Sequence, residues 1–241
     1  MIEREERDGI VTLRLAHGKA SAMDVELMEA LDMALDRALD DAANAKAVVL
    51  TGTGSIFCAG VDLFRLTNEG APYVERFFPL LRDVIGKLFE LPIPVVAATN
   101  GHAIAGGCIL VCACDYRLMA DGNGRIGVPE LLVGVPFPEM ALRVMQFAVP
   151  NVAPLVLTGK TMLPREALEA HMVDEVVAPD ALLDRAHAIA TQLGSIPRES
   201  FRLTKRVLRG LGADDPAAVK VWSDPAIHQH IREYLAKTVK K

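Results

Sequence analysis

Positive charge is in short supply in this chain: 26 lysines and arginines stand against 31 aspartates and glutamates. The resulting net charge of −5 leaves no basic footprint for nucleic acid or for an anionic membrane. Long apolar runs are missing as well. The most apolar one, Ala103 to Cys114, stops at Asp115 and is too short to span a bilayer. The opening MIEREERDG is charged and lacks the apolar centre of a signal peptide, and the closing TVKK matches no targeting signal. A cytoplasmic protein is expected, with neither nucleic acid nor membrane as partner. Cysteine is sparse, at Cys58, Cys108, Cys112 and Cys114, and no two CxxC-type pairs exist to hold a metal. Three of the four crowd into one apolar segment, so they read as small buried hydrophobes rather than as a disulfide frame.

What is present is material for a core. Hydrophobic residues make up 51% of 241, enough for one large domain or a core with a smaller appendage. GIVTLRLA (9–16) alternates apolar and polar residues as a half-buried strand does. Asp24 is placed to N-cap a helix with Leu27, Leu31, Leu35 and Leu39 on one face, ending near Asn44. AKAVVLTG (45–52) and PVVAATNG (94–101) are short continuous apolar runs, suited to strands buried on both faces. GTGSIFCAGVDLFRL reads as a loop leading into a helix. Residues 72 to 90 read as helical, with Pro79 implying a break or a fresh start.

After Gly106-Gly107 a further helix and the strand-like YRLMA are expected. Strand, glycine-bearing loop and helix thus occur twice in succession, the mark of a parallel β–α repeat whose ligands sit at the strands' C-terminal ends. From about residue 139 the pattern is mostly helical, with one short strand at VDEVV (173–177) and Pro164 in the first turn of a helix. SIPRES (195–200) forms a joint before the last helices, which carry Leu203, Val207, Val221, Ile227, Ile231 and Leu235. The expected division is a core over 1–194 and a helical region over 195–241.

TGTGSIFCAG follows a buried strand but is no dinucleotide loop. The third glycine of GxGxxG would fall on Phe57, and Gly60 comes too late. CAGVDL (58–63) and AIAGGC (103–108) each follow a buried strand and bring a glycine to a helix start. Their backbone N–H groups can converge into an oxyanion hole, or the glycines can serve only tight turns and close packing; spacing alone leaves both open.

The wording of these segments adds more. FCAGVDL with NGHAIAGGC, CDYRLMA and IGVPELLVG, in that order and spacing, resembles the crotonase family, the enoyl-CoA hydratase/isomerase superfamily. The likeness covers nearly the whole chain. It implies an α/β fold: a spiral of ββα turns with a helical C-terminal region that assembles as a trimer or a dimer of trimers. It also implies an acyl-CoA thioester substrate, with no cofactor beyond the coenzyme A of that substrate. The N–H groups of Val61 and Gly106 would be the oxyanion donors. Ala59, Gly60, Val61, Asp62 and Leu63 would lie along coenzyme A.

One departure carries the functional expectation. Hydratases of the family have a glutamate directly after the GGC cysteine; here that place is Ile109, which would form an apolar wall of the pocket. The second family carboxylate is retained as Glu130. Hydration divides its proton work between two carboxylates, whereas moving a double bond from C3 to C2 needs one acid that shuttles a proton from C2 to C4. Desolvation would raise the pKa of such an acid into the shuttling range. The Δ3-Δ2-enoyl-CoA isomerases have this single-glutamate pattern, and isomerase is the expectation.

The alternatives are a hydratase or dienoyl-CoA isomerase using Glu139 as second acid, and an idle acyl-CoA-binding or assembly member of the fold. Glu139 also fits as the first residue of the helix MALRVMQFA, where a carboxylate favours the dipole. His102 reads as a hydrogen-bonded structural residue, His228 and His230 as a solvated helix face, and Lys237, Lys240 and Lys241 as a solvated tail.

Overall fold

The structure, a computed structural model, describes residues 1–40 and 45–238. The chain opens with an antiparallel hairpin of β1 (Ile2–Arg7) and β2 (Ile10–Leu15), turning through Asp8 and Gly9 at positive φ. Beside β2 lie, in order, β3 (Ala47–Thr51), β5 (Val95–Thr99), β7 (Tyr116–Ala120) and β10 (Glu175–Val177), all parallel. The inner strands β3 and β5 are buried on both faces, as their unbroken apolar runs require. Val48, Leu50, Val95 and Ala97 point into the main core with α1 (Val25–Asp40). Ala47, Val49, Val96 and Ala98 meet α9 (Leu182–Gly194) on the other side through Ala186, Ile189 and Ala190.

A second, smaller sheet was not legible as strands. It consists of β4 (Ile56–Cys58), β6 (His102–Ile104), β8 (Ile126–Gly127) and β9 (Thr161–Met162). IFC and HAI, read in the sequence as loop, are three-residue strands, too short to show a period. From β3 to β8, three successive turns of the chain each lay one strand in the large sheet and one in the small sheet before the next helix. The simple β–α repeat becomes the ββα spiral that the family resemblance implies.

Asp24 caps α1 as expected, its Oδ1 accepting from the Leu27 N–H at 2.8 Å. The expected helix end at Asn44, the lysines Lys240 and Lys241, and the side chain of Lys237 lie outside the described residues. Pro79 does not break its helix. After the short α2 (Leu63–Glu69), α3 runs from Ala71 to Glu90 straight through it. A mid-helix proline costs about 3 kcal/mol, but Phe77, Leu81, Val84, Ile85 and Leu88 are buried along this helix, and packing outweighs that cost.

Past α9, the joint around SIPRES leads into α10 (Arg198–Leu208). A buried charge cluster fastens this helix. Asp115 Oδ2 accepts from Lys205 at 2.7 Å and from the Val95 N–H at 2.8 Å, and its Oδ1 accepts from Arg209 at 2.6 Å. Arg209 also donates to the carbonyls of Phe89 and Ala113 at the ends of α3 and α4 (Gly106–Ala113), with its guanidinium 4.2 Å from the Phe89 ring. Beyond it, α11 (Asp215–Trp222) and α12 (Pro225–Thr238) leave Val219, Trp222, Ile231, Tyr234 and Leu235 exposed. No helix among the described residues is long and apolar enough to cross a membrane.

Candidate active site

The small sheet aligns three segments. β4, β6 and β8 are parallel neighbours, so the chain leaves all three at the same edge. From β4 it runs through Ala59–Asp62 into α2, from β6 through Ala105 into α4, and from β8 through Val128 and Pro129 to Glu130, the first residue of α5 (Glu130–Val133). Ile104 pairs with Gly127, and the Ala105 N–H donates to the Gly127 carbonyl at 2.8 Å. That register holds Glu130 near the Gly106 turn.

Glycine is required where the first two segments meet. Gly60 has φ +84°, and a Cβ on it would fall 2.7 Å from the Ile104 carbonyl oxygen and 2.8 Å from the Ala105 Cβ. A Cβ on Gly106 would fall 2.6 Å from the Met23 sulfur. The Gly60 backbone lies against Ile104 and Ala105, a close approach that a side chain on Gly60 would prevent.

The N–H directions follow from the pairing on the far side. Residues 20–23 run beside the first loop: Ala59 N–H donates to Ala20, Met23 N–H to Gly60, and Asp62 N–H to Met23, at 3.0, 2.7 and 2.9 Å. Met23 and Val61 thus form a parallel bridge in which residues 60 and 62 make the bonds. The Val61 N–H is turned to the opposite side. Gly106 opens α4, where the first N–H groups of a helix have no internal acceptor. Its peptide is aimed by Ala105, a non-glycine residue at φ 52° and ψ −123°, a conformation that costs about 1–3 kcal/mol.

Glu130 is half-buried, and its Oε2 is fully buried with no hydrogen-bond partner among the described residues. Desolvation pushes its pKa from the ordinary 4.5 up to about 6, partly offset by its own backbone N–H. Ile109 is 1% exposed in the fourth position of α4, within the main core. Glu139 begins α6 (Glu139–Ala148) and is exposed, sharing none of this burial. Asp62 has structural work, its Oδ1 capping α2 at the Arg65 N–H (3.0 Å), and Leu63 is exposed.

His102 accepts the Arg125 N–H at Nδ1, 3.2 Å away, and His228 pairs with the Trp222 carbonyl on an exposed helix. All four cysteines are buried free thiols; burial pushes Cys58 up to about 12, and its thiol donates to the Ser21 carbonyl. Sequence reading missed the bracing segment 20–23. It is irregular, and only its cap at Asp24 carries a signal.

The enoyl-CoA hydratase/isomerase family profile matches residues 5–229. This chain belongs to that family. It has the crotonase fold: the crystal structure of an enoyl-CoA hydratase from Bacillus anthracis superposes with a TM-score of 0.87 at 26% identity, covering 100% of this chain and 98% of that one. The chain is 29% identical to mitochondrial enoyl-CoA delta isomerase 1 of Mus musculus over 219 residues, 89% of this chain and 75% of that relative. It is also 35% identical over 187 residues to the fatty acid oxidation complex subunit alpha of a Psychrobacter species. That match takes in 74% of this chain but only 26% of the relative's length. Family members thus carry both hydratase and isomerase names.

Proposed function

We propose that this family member converts a 3-enoyl-CoA into the conjugated 2-enoyl-CoA with Glu130 as its only proton-transferring acid. The observation that supports this is the partially buried Glu130 after β8, whose Oε2 is buried with no hydrogen-bond partner among the described residues; the family resemblance puts Ile109 where hydratases carry a second acid. The thioester carbonyl accepts from the N–H groups of Val61 and Gly106. Coenzyme A lies along Ala59–Leu63. Glu130 removes a proton from C2, the electron pair moves into the enolate as the double bond shifts, and the same carboxylic acid returns the proton to C4. A pKa near 6 suits this shuttle, since the group is mostly ionised at neutral pH yet not too weak a base. The apolar wall at Ile109 gives water no polarising partner, so protonation outruns hydration. The uncovered apolar residues of α11 and α12 support assembly as a trimer or a dimer of trimers.

The test is the ratio of two rates on one preparation: isomerisation of a 3-enoyl-CoA, and hydration of crotonyl-CoA. Isomerisation is expected to be far the faster. Hydration at an equal or higher rate would overturn the single-acid reading and make Glu139 the second carboxylate. Absence of both activities with retained acyl-CoA binding would leave an idle binder.

A further inference from the structure

We infer that Met23 is a positioning residue that sets the distance between the two N–H donors, an inference that rests on the assignment of Val61 and Gly106 as the oxyanion site. Met23 touches both donor segments by different parts. Its backbone bonds to Gly60 and to Asp62, on either side of Val61. Its thioether lies across the open face of Gly106, with the sulfur 2.6 Å and the methyl carbon 3.2 Å from the place a Cβ would take. The residue is completely buried and packs where the two loops meet, against the backbone of one and the glycine of the other.

Its neighbours hold the residue in place. Ser21, two residues before, is held at φ 45°, and its carbonyl accepts the Cys58 thiol at 3.1 Å. Asp24, the next residue, caps α1, pairs with His17 Nε2 at 2.7 Å, and faces Arg65 of α2 at 3.6 Å. Arg65 in turn is paired with Glu26 and Glu69. Segment 20–24 is therefore anchored to α1, to the loop after β4 and to α2 at once. An unbranched thioether suits the position, because it lies flat against a glycine that offers no Cβ to pack on. An oxyanion hole needs its donors about 2.7–3.1 Å from the developing charge. A displacement of about 1 Å can cost roughly 100-fold in rate.

The experiment reads the donors directly. Butyryl-CoA carrying ¹³C at the thioester carbonyl is bound to the full-length protein, and its carbonyl stretch is recorded by infrared difference spectroscopy. In the wild type the band is expected to move to lower wavenumber than in water. In Met23→Ala it should return most of the way to the free value, and kcat for a 3-enoyl-CoA should fall about 100-fold with little change in the dissociation constant for butyryl-CoA. Met23→Leu, which keeps the volume, should restore the band and bring kcat to within a few-fold. Should the alanine variant fold poorly, Met23→Val shortens the side chain while suiting an extended backbone, and its band should fall between those of wild type and free ligand. A band that moves equally in wild type, Met23→Ala and Met23→Val overturns the role of Met23 and leaves the donors standing. A wild-type band that does not move on binding overturns the donor assignment itself.

Discussion

Replacing Glu130 by glutamine should destroy activity and improve stability at neutral pH. In the native protein the carboxyl titrates near 6 against an ordinary 4.5, because burial disfavours the ionised form. Between those values the native state binds more protons than the unfolded chain, so stability falls as pH rises through the window and then levels off. A gap of about 1.5 units corresponds to about 2 kcal/mol at 1.36 kcal/mol per unit. Solvent reaches part of this half-buried side chain, and screening reduces the figure to about 1–2 kcal/mol. Glutamine does not titrate. Urea unfolding of both proteins at equal concentration, from pH 4 to pH 8, cancels every other ionisation. The difference in unfolding free energy should move by about 1–2 kcal/mol in favour of Glu130→Gln as pH rises. The same variant should lose at least about 10²–10⁴-fold in isomerase turnover while still binding acyl-CoA. A stability difference that is flat with pH, or that moves the other way, would refute the desolvated-acid reasoning. Retained turnover would move the base elsewhere.

Further outcomes follow from the same geometry. The wild-type kcat/KM should rise through a single ionisation near pH 6 on the acid side, as Glu130 sheds its proton, measurable in a buffered pH–rate series. Ala105→Gly relieves the positive-φ strain at some entropic cost, and should raise stability in urea unfolding by about 1 kcal/mol without raising kcat. Asp115→Asn leaves Lys205 and Arg209 buried without their carboxylate and should cost about 3–5 kcal/mol, more than Lys205→Met, which leaves Asp115 paired with Arg209. Burial pulls Lys205 down to about 8, so the native state sheds that proton before the unfolded chain does. Stability should therefore gain from this group between pH 8 and 10.5, and the gain should be missing in Lys205→Met. Light scattering should give a trimer or hexamer; a stable monomer at micromolar concentration would contradict the assembly.

The long features were legible in the sequence for a physical reason. β3 and β5 announce themselves as unbroken apolar runs and α1 by its leucine stripe behind Asp24, whereas the three-residue β10 was marked only by the wider VDEVV around it. Glu130 and the two glycine loops stood out by their wording, and Ile109 only as a departure from that wording. Two- and three-residue strands carry no period, so the small sheet that aligns the site was invisible, although it decides where Glu130 sits. Pro79 misled because a local rule was overruled by a buried helix face. Met23 carries no signal in the sequence. Its place against Gly106 depends on contacts between residues more than eighty positions apart, which no local pattern encodes.

The three parallel exits from β4, β6 and β8 bear on which parts of this chain can change over generations. The excursion from Leu63 to Pro94, holding α2 and α3, runs from a strand of the small sheet to a strand of the large one, and one face of α3 is buried in the core. Its exposed Phe64 and Phe78 can vary over generations without disturbing that buried face. Two of the proposed working groups are peptide N–H groups, present whatever side chain a codon specifies. A lineage of this fold can therefore change exposed side chains on that excursion while the peptide groups proposed to hold the anion pass unaltered to its descendants.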